Sequence, residues 1–442
     1  MARQTGRSGP RATRGTLELA LRVGEALLTS GAGSADVVAA MLRIAASYGV
    51  SSCTVDVTFT SITVAAAQPG DEPPLSLLKV VQVRATDYTR LDRLHEFAHR
   101  LGAARQPLDD AHRELDGILA PPPAYRSWLA TAAAAGLAAS VAVLLGGGAL
   151  TAVVAAVASA LADRTLRLLT RFGLPSFFQH AAGAAIVSLA PIVLLLFTRH
   201  TGVALDAPPS LVVAAGLVVL LAGLSLVGVA QDAINGYLVT ASARVLDVLI
   251  PTAGIVAGIG TVLDLAQAAD VPLRLAAVPG RAVPLWGQAL AAAAAAACWA
   301  LSGHARRRAV LLAAVGGAGA QLTYVAAFRA GLGAATASFV AALVVGMLVT
   351  VVTRRLSMAP VVGYACSIVP LLPGVALYRG MFEVVHGTPL GGTQLVQVAM
   401  VGLALGAGVT LSEFLITPLL GRQDRWDRWD RRVRRRARGS RY

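Results

Sequence analysis

Two sets of residues in this sequence have the types and spacing to do chemistry. Residues 94–101 read LHEFAHRL, which puts His95, Glu96 and His99 in the HExxH arrangement of a zinc peptidase. On a helix, residues four apart share a face, so two imidazoles can hold one metal while the carboxylate activates its water. The second set is Arg244 and Asp247, one helical turn apart in the apolar stretch TASARVLDVLIPTAGIVAGIG. A lone ionised side chain at mid-bilayer costs about 2.5–3.5 kcal/mol on insertion scales, and two that pair cost less. Zinc is disfavoured locally: Arg100 follows His99 where the peptidase pattern wants an uncharged residue, and Arg93 repels a dication. A third ligand would have to come from His112, Glu114 or Asp116, at no known spacing. The segment therefore reads as an amphipathic helix with two solvated histidines, and no metal or other cofactor is expected. A membrane-anchored zinc hydrolase is the alternative of a different class.

The elements that position these residues follow from composition. Of 442 residues, 56% are hydrophobic and 14% charged, with a mean hydropathy of +0.66, outside the soluble range. This is a membrane protein. The net charge of +14 does not point to nucleic acid, because Lys79 is the only lysine and the arginines cluster between apolar runs and at both ends. Cys53, Cys298 and Cys366 lie too far apart for a disulfide framework or a metal motif. Residues 1–15 are basic and expected to be disordered. Glu18, Arg22 and Glu25 follow where a signal peptide would need an apolar core, so no export signal is expected.

Composition changes at LAPPPAYRSW, residues 119–128. Residues 16–126 carry helical spacing over 16–28 and 35–48, strand alternation over 53–59, 62–67 and 77–84, then helical spacing over 88–102 and 108–119. They predict a small cytoplasmic α/β domain. Beyond it come ten apolar runs near the length of about 20 residues that crosses a bilayer: 128–146, 148–162, 177–197, 210–230, 240–263, 284–302, 309–328, 333–352, 359–381 and 395–420. Arg164, Arg167 and Arg171, Arg306–Arg308, Arg354 and Arg355, and a basic tail over 422–442 all follow even-numbered spans. The positive-inside rule then puts both termini in the cytoplasm of a plasma-membrane protein, with the tail a topogenic and lipid-contacting run.

An internal repeat organises these spans. LVGVAQDAINGY (226–237) is similar to LPGVALYRGMFE (372–383), and IVAGIGTVLDL (255–265) to LGAGVTLSEFL (405–415). Two five-span units, 127–265 and 284–421 around a linker over 266–283, must insert in opposite senses because five is odd. That is the inverted-repeat plan of secondary transporters, whose sites sit near the midplane beside broken helices. In the second copy Gln394 and Gln397 take the places of Arg244 and Asp247. Pro370, Pro373 and Gly374 interrupt span nine, with Tyr378 following, and free backbone groups that protein, water or ligand must satisfy. Asp232 and Asn235 follow Gly228 as a gate or an exposed loop, and Glu413 lies in span ten. Asp247 is the expected proton carrier, with Asp232 and Glu413 next. Gly254 and Gly258, in small-xxx-small spacing, serve helix packing.

At these residues the chain resembles a known family, the bacterial threonine/serine exporters. TSGAGSADVVAAMLRIAASYG with VTFTSITVA is similar to the family's cytoplasmic domain; LVGVAQDAINGYLVTASARVLD and PLLPGVALYRGMF resemble the signatures of its two halves. Val227 stands where the pattern has proline, which leaves a break in span four open. The resemblance implies export of threonine and serine from the cytoplasm, driven by the proton motive force. Some relatives split the halves into two chains and are linked to dicarboxylates such as succinate, so that substrate class is an alternative. Partners are then the amino acid, protons and the bilayer, with homo-oligomerisation open.

Overall fold

Helical spacing at both ends and strand alternation between them give the amino-terminal part its order: α1 (Pro10–Thr29), α2 (Ser34–Ser47), β1 (Cys53–Val57), β2 (Ser61–Ala66), β3 (Leu75–Val80), α3 (Tyr88–Ala103) and α4 (Leu108–Leu119). The structure is a computed structural model that describes residues 10–419 apart from 51, 68–72, 82–86, 105, 121–126, 202–207, 221–222, 269–281, 357 and 386–389. The three strands form an antiparallel meander in which Val55 faces Val64 and Val64 faces Leu77. Ile62, Val64 and Ala66 point to one side and are buried, while Thr54 and Asp56 lie exposed on the other, as period-two alternation requires. The start of α1 corrects one expectation: Pro10 to Gly15, assigned to a disordered terminus, are helical. The basic tail over 422–442 and most of the 266–283 linker lie outside the described residues.

Twelve further helices follow: α5 (Ser127–Leu144), α6 (Ala149–Arg171), α7 (Ser176–Thr201), α8 (Pro209–Leu220), α9 (Gly223–Ile234), α10 (Leu238–Ala268), α11 (Leu285–Ser302), α12 (Arg307–Arg329), α13 (Ala334–Leu356), α14 (Pro360–Ser367), α15 (Gly374–Val385) and α16 (Leu390–Leu419). Among the described residues, eight are long and apolar enough to cross a membrane, or nine spans if the pair α8 and α9, bent by 51°, counts as one. Ten were expected. The difference is span nine, which resolves into α14, a 3₁₀ turn over Val369–Leu371, and α15. Pro370 and Pro373 lack the amide hydrogens an unbroken helix would use there.

The order of helices repeats: three long ones, a broken pair, then one long one, twice. The packing repeats with it. α10 lies along α7 and α16 along α13, while α9 also packs on α16 and α15 on α10. A Cβ on Gly258 would collide with the carbonyl of Ala181, and one on Gly408 would sit 2.6 Å from the carbonyl oxygen of Phe339. Gly254 meets the Phe177 carbonyl in the same way, so these glycines let backbones touch.

The amino-terminal part does not hang free of the helices. Its core, with Met41, Leu94 and Phe97, is continuous with Ala296, Ala300, Ala309, Met358 and Val362. Hydrogen bonds pin it at three loops. Thr240 Oγ1 donates to the Val57 carbonyl at 3.1 Å. Tyr88 N donates to Gly303 O at 2.9 Å, and Trp299 Nε1 to Tyr88 Oη at 3.2 Å. Asp92 Oδ1 accepts from Ala359 N at 2.9 Å, with Arg306 Nη1 3.5 Å from its other oxygen. These contacts fall at the ends of α9, α11 and α13, so those loops share one side of the bundle.

Candidate functional site

Polar side chains of α9, α10, α14 and α16 come together where the first residue of α2 touches α9. Arg244 lies six residues in from the start of α10, and Glu413 six residues from the end of α16. At 1.5 Å per residue both sit about 9 Å inside their helices. Arg244 Nε is 3.0 Å from Asp232 Oδ2 of α9, and both side chains are largely buried, at 14% and 3% exposure. Their contact has no hydrogen-bonding geometry, so charge rather than direction holds it. Asp232 Oδ1 accepts from the backbone of Ser34, the first residue of α2, at 3.3 Å. Gly228 makes room for the guanidinium: a Cβ there would be 2.6 Å from Arg244 Nη1. Tyr364 of α14 is buried and hydrogen-bonds to Gln231, next to Asp232 in sequence, and to Glu413.

This arrangement corrects the expected pairing. Asp247, one turn on from Arg244, lies exposed beside Leu246, Leu249 and Ile250 and makes no ion pair among the described residues. Arg244 pairs across helices instead, because the turn that starts α10 brings α9 back against it. Asp232, expected as gate or loop, is buried, whereas Asn235 is exposed. Gln394 donates to Glu383 Oε1 at 3.1 Å, and Gln397 is exposed. Pro370 belongs to the 3₁₀ turn, Pro373 precedes α15 and Gly374 opens it. Tyr378 lies on α15 with its side chain outside the described residues. Sequence reasoning missed Ser34, Asp36, Gln231 and Tyr364. Asp36 and Ser34 stand in a soluble-looking helix, and no spacing signals which such helix reaches the bundle.

LHEFAHRL sits on α3. His95 is half-buried and Glu96 and His99 are exposed. Burial pushes the His95 imidazole down to about 4, with Arg43 and then His99 adding to the effect. The further ligands a metal would need are engaged elsewhere: His112 and Asp116 contact Arg22, and Glu114 pairs with Arg100. Among the described residues no group of three His, Cys, Asp or Glu is placed to hold a metal ion.

A family model for threonine/serine exporters matches residues 18–266, and a second, described as "Threonine/Serine exporter, ThrE", matches residues 288–415. The chain belongs to the threonine/serine exporter family. The two matches cover the two helical units in turn, the first taking in the amino-terminal domain as well. The chain is 40% identical over 416 residues to a "Probable threonine/serine exporter" of Mycobacterium tuberculosis, covering 92% of this chain and 77% of that one. It is 32% identical over 408 residues to a "Threonine/serine exporter" of Corynebacterium glutamicum, covering 91% and 82%. No solved structure matches it. The threonine/serine exporters are transporters rather than enzymes, and nothing supports a zinc hydrolase.

Proposed function

We propose that this chain is a secondary exporter of threonine and serine, driven by protons, with the Arg244, Asp232 and Glu413 cluster in its pathway. Membership of the threonine/serine exporter family supports the cargo, and one observation supports the site: a buried cation and carboxylates gather at the broken pair α8 and α9. An amino acid zwitterion carries one charge of each sign, and a guanidinium suits its carboxylate as a planar fork. A dicarboxylate would bring two negative charges to a site already lined by Asp232 and Glu413. That weighs against the succinate alternative.

The chain crosses the plasma membrane with both termini in the cytoplasm on this reading. Its support is that the loops after α9, α11 and α13, which touch the amino-terminal domain, are those the arginine pattern assigns to the inside. Counting each broken pair as one crossing gives ten spans and two inverted units, with α9 and α15 facing each other's long helix across the repeat axis. Protons couple to export through the carboxylates facing Arg244 and Tyr364, since arginine does not deprotonate. The test is efflux from cells loaded with labelled threonine: expression should speed it severalfold, and an uncoupler should remove the gain. Efflux equal to that of cells lacking the protein contradicts the reading.

A further inference from the structure

α2 brings a third carboxylate to the cluster. Two residues beyond Ser34, Asp36 interacts electrostatically with Asp232 of α9, Glu413 of α16 and Tyr364 of α14. Its side chain is exposed rather than packed, on the helix whose first residue donates to Asp232 Oδ1 at 3.3 Å. The other carboxylates are occupied: Asp232 by Arg244 and the Ser34 amide, Glu413 by Tyr364. Asp36 makes no hydrogen bond or ion pair among the described residues. In the same first turn the hydroxyl of Ser34 is fully buried and unpartnered, an unmade hydrogen bond of the kind native structures seldom leave.

We propose that the first turn of α2 forms the cytoplasmic wall of the cargo site, with Asp36 binding the ammonium group of the amino acid. The amino-terminal domain is then part of the transport pathway rather than an appendage to it. This rests on the export reading above and extends it to the residue that separates an amino acid from a hydroxy acid of the same shape. Arg244 takes the cargo's carboxylate, Asp36 its ammonium group, and the unpartnered Ser34 hydroxyl meets its polar side chain. Burial raises the Asp36 pKa above the usual carboxylate range; Arg43 on the same helix opposes this and Asp232 adds to it. Glu413 and Tyr364 also face Asp36, while Arg244 acts on Asp232 and Arg354 on Glu413. A proton and an ammonium group therefore compete for one carboxylate, so cargo affinity rises with pH as Asp36 ionises.

The experiment is threonine–threonine exchange by the full chain in proteoliposomes, with 3-hydroxybutyrate as a competitor that keeps the carboxylate and hydroxyl but lacks the ammonium group. Asp36→Asn should raise the half-saturating threonine concentration at least tenfold with less than a threefold change in maximal rate. Asp36→Glu should recover most of the affinity, and inhibition by 3-hydroxybutyrate should stay within twofold. An unchanged half-saturating concentration in Asp36→Asn, beside an active wild type, overturns the proposal alone; a wild type that exchanges no threonine overturns the export reading with it. Should Asp36→Asn fail to fold, Gly33→Cys with Cys53, Cys298 and Cys366 replaced by Ser reads the same wall. A Cβ on Gly33 has room, 3.8 Å from Asp36 Oδ2. Threonine should slow alkylation of that thiol at least fivefold, and an unaffected rate overturns the proposal.

Discussion

Asp232 of α9 and Arg244 of α10 stand 3.0 Å apart, buried together and paired by charge across two helices. Removing one partner strands the other, and an uncompensated buried charge costs about 3–5 kcal/mol, whereas replacing both by neutral groups costs less. Arg244→Ala should therefore lower the melting temperature of the purified protein by more than the double change Arg244→Gln with Asp232→Asn. Equal melting temperatures for the two variants would show that the charges do not depend on each other.

Gly228 and Gly258 separate function from folding. At Gly228 a new methyl meets only the far end of the Arg244 side chain, which can yield by a small shift, so Gly228→Ala should leave the melting temperature within a few degrees while slowing threonine exchange about tenfold. At Gly258 it meets the Ala181 backbone, and overpacking of that kind costs roughly 1–3 kcal/mol. Gly258→Ala should lower the melting temperature first. The reverse order would place the guanidinium outside the pathway.

The imidazole of His95 links stability to pH. Its folded pKa, pushed down to about 4, lies below the usual value of 6.5, so between these values the unfolded chain binds more protons. Stability contributed by the neutral ring is present above pH 6.5 and is lost as pH falls toward 4. His95→Gln should flatten the fall in melting temperature across that window relative to wild type, and identical profiles would falsify the linkage. Transport by His95→Ala with His99→Ala should stay within about twofold of wild type.

Docking of the amino-terminal domain is testable at Asp92, which accepts the Ala359 amide and faces Arg306. Asp92→Ala should speed hydrogen exchange at the Ala359 amide at least tenfold and leave the Tyr364 amide, inside α14, much less affected. Unchanged exchange at Ala359 would mean the domain is held by its apolar contacts alone.

Local pattern carried much of the fold into view. Period-two alternation placed β1 and β2 within two residues, and each apolar run lies on a helix or a broken pair. What the sequence could not show depends on contacts between distant segments. Arg244 and Asp247 share a helical turn and looked like partners, but Asp232 competes for Arg244 from the preceding helix, and a one-dimensional spacing rule sees only the local candidate. Val227, standing where the pattern has proline, concealed that span four divides into α8 and α9, bent by 51° to each other. Asp36 was invisible for the same reason on a larger scale: its neighbours lie about 200 and 380 positions away, brought together only because the amino-terminal domain packs into the bundle.

The most direct test is threonine efflux from proteoliposomes with and without an imposed pH gradient. In wild type the gradient should drive threonine against its own concentration difference. Glu413→Gln or Asp232→Asn should abolish that drive while one-for-one threonine exchange persists. Gradient-driven efflux that survives both substitutions would contradict the account and move proton coupling out of the cluster around Arg244.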